Sequence, residues 1–167
     1  MQRWMRVLRM LALLVVVVAA GLVVVGQLGG LAGTPPVLGV QDGRLKPPSL
    51  TPNSVSSQAL LYPDHPQRAY AAIAPLSIQQ DPDAAMRRLV DVLQKMERTT
   101  VVTQGQDYVY AQSSTPWLRF TDDVEFWLDR PHKVIHVRSA SRLGRGDHGV
   151  NRKRVEAIRA AFQQAGG

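Results

Sequence analysis

The run DVEFWLDRPHKVIHVR, residues 123–138, decides the fold class. In its first half Val124, Phe126 and Leu128 fall on one side of an extended chain. Asp123, Glu125, Trp127 and Asp129 fall on the other. In its second half Ile135 and Val137 oppose Val134, His136 and Arg138. Alternation with a period of two is the mark of a half-buried strand. Arg130-Pro131-His132 supplies the turn, since proline cannot continue a ladder. Two strands joined by so short a connection pair antiparallel.

The elements around this hairpin follow the same logic. Upstream, strands are predicted over residues 99–103, 107–113 and 117–121, with turns at Gly105 and at Ser114-Thr115-Pro116. Residues 71–76 read as a further short extended segment, and the small polar run at 52–58 as a loop. Asp81-Pro82-Asp83 is a helix start: an aspartate to cap, a proline for the first turn, and a second carboxylate at the positive end of the helix dipole. Met86, Leu89, Val90, Leu93 and Met96 then recur every three or four residues, predicting a helix over about 82–97 with one apolar face. Val155, Ile158 and Phe162 predict a second helix over 150–164, ended by Gly166-Gly167. Helix, antiparallel strands, helix is an α+β order, with the two helices packed on one face of the sheet.

The amino terminus is a different kind of sequence. From Met10 to Gly26 no residue is charged or strongly polar, and the next charge after Arg9 is Asp42. About 20 apolar residues cross a bilayer core. The run reaches that length when its small-residue tail to Leu31 is included. It is expected to be a transmembrane anchor; the alternative is a signal peptide cleaved near Gly30-Leu31-Ala32. Arg3, Arg6 and Arg9 keep the amino terminus in the cytoplasm under either reading. The expected placement is therefore single-pass in the inner (plasma) membrane, with the carboxy-terminal domain periplasmic or otherwise extracytoplasmic. Residues 1–32 are the cytoplasmic terminus and anchor, 33–52 a Pro/Gly-rich tether, and 53–167 the α+β domain.

The chain carries a net charge of +7, which raises the question of nucleic acid. Three of those charges belong to the membrane signal, and much of the rest lies between Arg138 and Arg159. The topology puts that local patch across the membrane, so a nucleic-acid partner is not expected. The chain has no cysteine, which excludes disulfides, zinc–thiolate sites and a cysteine-linked lipid anchor. Its four histidines do not cluster with ligand spacing, so neither a metal site nor a cofactor is expected.

Four motifs occur in order: GVQDGRL at 39–45, PNSVSSQ at 52–58, RFTDDVEF at 119–126 and VRSASRLG at 137–144. Asp147, Gly149, Val150, Asn151, Arg152 and Arg154 follow them. Together they resemble domain-of-unknown-function family 1499, found in bacteria and plastid-bearing eukaryotes, over about residues 39–162. The resemblance implies a shared fold and brings no established activity. It also implies two cysteines, one within a proline-cysteine-proline run and one after a proline-asparagine pair. This chain has Pro48 and Ser54 there, so any bridge between those positions is missing and the tether must be held by packing.

The chemistry concentrates in VRSASRLGRGDHGVN, residues 137–151, and in the acidic strand before it. Asp123 and Glu125 point one way on a strand and Asp122 the other. The leading expectation is a salt-bridge network, Asp123 or Glu125 with Arg138 or Arg142, because an arginine–carboxylate fork can fix a glycine-rich loop. Arg138, Arg142, Ser139, Ser141 and the glycine backbone are also a candidate cradle for a small anion or an anionic lipid head group. Asp147, Asn151 and Arg152 complete this candidate binding or structural network. The leading functional expectation is a non-catalytic, envelope-associated binding module with no catalytic residue assigned. The alternative is a hydrolase-type enzyme using Asp147, His148, Ser139 and Ser141 with Asp122, Asp123 or Glu125, although no Gly-x-Ser-x-Gly elbow is present.

Overall fold

A helix of 26 residues, α1 (Gln2–Gln27), leads into the domain and is exposed along nearly all its length. The computed structural model describes residues 2–79 and 81–166. After α1 come β1 (Ser54–Ser56), a 3-10 turn at Ala59–Leu61, the single-turn helix α2 (Arg68–Ala71) and β2 (Leu76–Ser77). Then follow α3 (Pro82–Lys95), β3 (Thr99–Gln104), β4 (Tyr108–Ser114), β5 (Thr121–Asp129), β6 (Val134–Ser141) and α4 (Val150–Gln164).

The sheet is antiparallel in the order β1-β6-β5-β4-β3, with β2 pairing beside β1 along the outer edge of β6. The fold is α+β, as the alternation at residues 123–138 predicts. In the central register Glu125 lies opposite Arg138 and Asp123 opposite Ala140. Asp81 caps α3 by accepting from the Ala84 N–H, and Pro82 opens the helix. Met86, Leu89, Val90 and Leu93 of α3 and Val155, Ile158 and Phe162 of α4 pack on Val124, Phe126, Leu128, Ile135 and Val137. Both helices thus lie on one face of the sheet.

Three predicted elements are corrected. Residues 117–120 are a turn running into coil, because Pro116 interrupts the ladder and Arg119 adopts a left-handed φ of 56°. Within 52–58, Ser54–Ser56 is a strand: β6 has an open edge whose backbone groups need partners, and Val55 meets the core from it. Within 71–76 the chain is a helical turn ending at Ala71, then coil, with β2 starting at Leu76. The last predicted strand also runs longer than its pattern, through Ser139, Ala140 and Ser141.

The second face of the sheet is covered by the tether. Residues 33–52 contain no helix or strand, only a turn bridged between Gln41 and Arg44. They lie across the sheet through backbone contacts. The Gly39 N–H donates to Glu125 at 2.9 Å, the Pro47 carbonyl accepts from Arg138 at 3.2 Å, and the Leu45 N–H donates to Gln58 at 2.8 Å. The Ser49 N–H donates to the Ser54 hydroxyl at 2.8 Å. That bond joins the residue after Pro48 to Ser54, next to one and at the other of the two places where the resemblance implies cysteines.

Candidate functional site

Strand alternation sorts the residues of interest onto two faces. Arg138 projects toward the tether and Ser139 toward the helices; β6 extends past both, so the two are not members of one loop. The structure therefore forms two polar networks with the sheet between them.

On the tether face, Asp123 and Arg142 form a bidentate pair. Arg142 Nε donates to Asp123 Oδ2 at 2.9 Å and Nη2 to Oδ1 at 2.7 Å. The Tyr110 hydroxyl donates to the same carboxylate at 2.6 Å, and Arg142 Nη1 reaches the Gly33 carbonyl at 3.3 Å. The Asp123 bonds raise the Arg142 guanidinium above its usual value against the opposing effect of burial. One step along the strands, Glu125 is fully buried. Its Oε1 accepts from the Tyr108 hydroxyl and the Gly39 N–H, both at 2.9 Å. Its Oε2 has Arg138 Nη1 at 3.5 Å and no hydrogen bond among the described residues. Burial pulls Arg138 below its usual value, opposed by Glu125 and Asp123. Burial, followed by the neighbouring carboxylates, raises both Tyr108 and Tyr110. These are neutral donors held on anions. Further along, His136 stacks on Trp127 with ring centroids 5.4 Å apart.

On the helix face, Arg154 of α4 pairs with Asp122 and donates to Asn151 Oδ1 at 2.6 Å and Ser139 Oγ at 3.0 Å. Asn151 is fully buried. Its amide donates at 3.0 Å to the Asn53 carbonyl and to Ser141 Oγ, and its Oδ1 accepts from Ser139. Asp147 accepts from the Gly149 and Asn151 N–H groups, each at 3.0 Å, and so caps α4, whose start Gly149 enters at a φ of 78°. The Tyr70 hydroxyl also donates to Asp147. Burial alone would raise this carboxyl, but the Tyr70 and backbone bonds outweigh it and hold Asp147 below its usual value. Arg152 donates to the Tyr70 and Ala72 carbonyls at 2.5 and 3.0 Å, tying α2 to α4.

Asp123, Glu125, Arg138 and Arg142 are thus brought together, and Asp122, Ser139, Ser141, Asp147 and Asn151 are brought together elsewhere. The arginines and serines of the anion cradle do not share a face. Asp122, Ser141, Asp147 and His148 do line one cleft of about 350 Å³, with Phe120, Leu143 and Val150 as its apolar walls. Ser141 Oγ is engaged there by Asn151, and exposed His148 has no hydrogen bond to either serine among the described residues. A larger cleft, about 630 Å³, lies in the curve of the tether between Val37 and Pro47, against Tyr62, and contains none of the sequence-predicted site residues. Among the described residues no three or more His, Asp or Glu side chains are grouped to hold a metal ion.

Sequence reasoning missed Arg154, Tyr108, Tyr110 and Tyr70 as network members. The two β4 tyrosines carry a usable signal, since their alternation places them beside Asp123 and Glu125 once the strands are paired. Arg154 sits three residues beyond Asn151, on the same side of the helix. Tyr70 carries no such signal.

Among curated proteins none matches the chain, and among solved structures none does. The family DUF1499, described as protein of unknown function, matches residues 44–162, which takes in β1 through nearly all of α4 and the side chains of both polar networks. The chain belongs to the DUF1499 family.

Proposed function

We propose that this protein is a single-pass membrane protein whose α+β domain sits on the extracytoplasmic side as a non-catalytic, envelope-associated binding module. The observation that carries this reading is the amino-terminal pattern. Three arginines in the first turns of α1 precede its exposed, charge-free apolar stretch, and the last turn of the helix is seated on the domain. In a bacterium the membrane is the inner one and the domain periplasmic. The candidate partner is anionic, a lipid head group or a small anion. Arg138 and Arg142 are occupied by Glu125 and Asp123, so the basic groups able to meet that partner are the exposed ones, Arg119 and Arg145 among them.

The absence of cysteine from the sequence makes topology directly testable. Leu60→Cys, on an exposed turn, is expected to react with a membrane-impermeant maleimide in intact cells or spheroplasts. Labelling of Leu60→Cys only after lysis would reject the extracytoplasmic placement. Thermal shifts of the full chain in detergent, with and without phosphate or short-chain phosphatidylglycerol, test the anionic partner, because a ligand bound by the native state alone raises the transition. No shift with either would remove it. The hydrolase alternative draws on the cleft containing Asp122, Ser141, Asp147 and His148. It requires ester or amide turnover that disappears in Ser141→Ala.

A further inference from the structure

We propose that one end of the sheet is a membrane-docking surface that seats the domain on anionic lipid head groups. It rests on the reading of α1 as a bilayer anchor and names the surface that reading brings to the lipid. β4, β6 and α3 finish at this end, and β3, β5 and α4 start there, so residues 96–98, 115–120 and 142–149 are its three loops. The last turn of α1 packs onto them. Gly26 lies so close to the Leu118 carbonyl that a Cβ at position 26 would overlap it. Gln27 donates to the Trp117 carbonyl at 3.0 Å, and the Gly33 carbonyl accepts from Arg142.

That attachment sets the depth of the loops. The run without charged or strongly polar residues ends at Gly26 and Gln27 is the first strongly polar side chain after it, so Gly26 and Gln27 stand where an anchored helix leaves the hydrocarbon. Trp117 and Leu118, in contact with them, are then at head-group level. The exposed side chains at this end suit that level. Trp117 is 72% exposed, Leu143 45% and Val150 42%. Tryptophan prefers the membrane interface because its ring is apolar and its N–H polar. Arg119 and Arg145 are exposed beside them. The carboxylates nearby are paired or turned inward: Asp122 pairs with Arg154, Asp123 with Arg142 and exposed Glu97 with Arg98, while Asp147 is buried under Tyr70. The outward charge is therefore positive, which complements anionic lipid. The opposite end, with Asp107, Arg130, His132 and Lys133 in its turns, lies about 26 Å away along the nine residues of β5. That is beyond a Debye length of about 8–10 Å at physiological salt.

Single-cysteine variants of the full chain, labelled with a small fluorophore in nanodiscs of three parts phosphatidylcholine to one part phosphatidylglycerol, test the surface. The quencher is a spin label on the lipid. Leu143→Cys and Val150→Cys are expected to be quenched severalfold more than Leu60→Cys and His132→Cys, with Val16→Cys in the helix quenched by deep labels. Combining Trp117→Ala, Arg119→Gln and Arg145→Gln, all exposed, is expected to reduce the quenching at Leu143→Cys to that at Leu60→Cys. Quenching at Val16→Cys alone overturns docking and leaves the anchor standing. No quenching at Val16→Cys overturns the anchor and docking with it. Shielding of Leu143→Cys that rises with protein concentration and ignores the lipid quencher assigns the surface to a second copy of the chain, and also overturns the proposal.

Discussion

The two faces of the sheet are buried by opposite means. The helix face is covered by regular structure and by close-packed Val, Leu, Ile and Phe side chains, with Asp122, Asn151 and Arg154 confined to one corner. The tether face has no such apolar layer. Its centre is a ladder of two carboxylates, two guanidinium groups and two tyrosines, and its cover is a segment without regular secondary structure. Apolar packing tolerates any well-shaped partner. A buried charge does not, because it must be met by a fixed donor or acceptor. The carbonyls of Gly33 and Pro47 and the N–H of Gly39 are such fixed groups. The ladder is thus what gives a proline-rich segment one place to lie.

The largest effect should come from breaking that ladder on one side only. Arg138→Ala leaves the Glu125 carboxylate fully buried without its cation, at an expected cost of about 3–5 kcal/mol. Phe126→Ala on the other face should cost a similar 3–5 kcal/mol through a cavity. The faces separate when the partner is removed as well. Arg138→Met with Glu125→Leu should recover most of the loss, whereas no second truncation near Phe126 refills its cavity. Urea unfolding of the full chain in micelles measures all three variants. A double variant as unstable as Arg138→Ala would mean that the ladder does not act as coupled charge.

Second in size is a gain. The Ser49 N–H bond to Ser54 brings the tether to β1 at the positions where the family resemblance implies cysteines. Pro48→Cys with Ser54→Cys should oxidise spontaneously and raise stability by roughly 2–3 kcal/mol. Reduction should abolish the gain. Free thiols persisting under air would place the two positions too far apart for a bridge and weaken the view that the tether is clasped there.

Third is the corner of the helix face. Asn151→Ala removes a neutral hub and leaves the Asp122–Arg154 pair in place, so its expected cost is about 1–3 kcal/mol, below that of Arg138→Ala. Equal losses from the two variants would erase the distinction between a charged and a neutral network.

The sequence carried the two faces further than it carried their covers. The alternation at residues 123–138 assigns Val124, Phe126 and Leu128 to one side and Asp123 and Glu125 to the other, and the structure keeps that assignment. The helices followed from caps and spacing. The strand at Ser54–Ser56 did not, because three residues are too few for periodicity and its cause is the open edge of β6. The extension of β6 to Ser141 was also hidden, since Ser, Ala and Ser carry no apolar alternation. That one extension splits Arg138 from Ser139 and turns a single expected cradle into two networks. The role of the tether was illegible, because it works through backbone groups that every sequence has.

The smallest effect concerns His136, at the rim of the tether face. Its ring stacks on Trp127, its Nδ1 lies 3.0 Å from the Ser57 hydroxyl, and its Nε2 lies 3.6 Å from Asp129. Burial lowers its pKa, and Asp129 only partly opposes this, while His132 adds to the lowering. The folded state therefore prefers the neutral ring, and Nδ1 is free to accept from Ser57. A depressed folded value means that the unfolded chain takes the proton first as pH falls. The contribution of this residue is present above the ordinary histidine value of about 6.5 and is lost as pH drops from there toward the lower folded value. Asp129 is itself held low, by bonds from His132 that outweigh burial, so it titrates well below this window. The parent should lose stability as pH falls below about 6.5, and His136→Phe, which keeps the stacking, should flatten that loss. An unchanged slope in the variant would move the pH sensitivity of this face away from His136. A flattened one would place the pH sensitivity of the tether face at its rim, on His136.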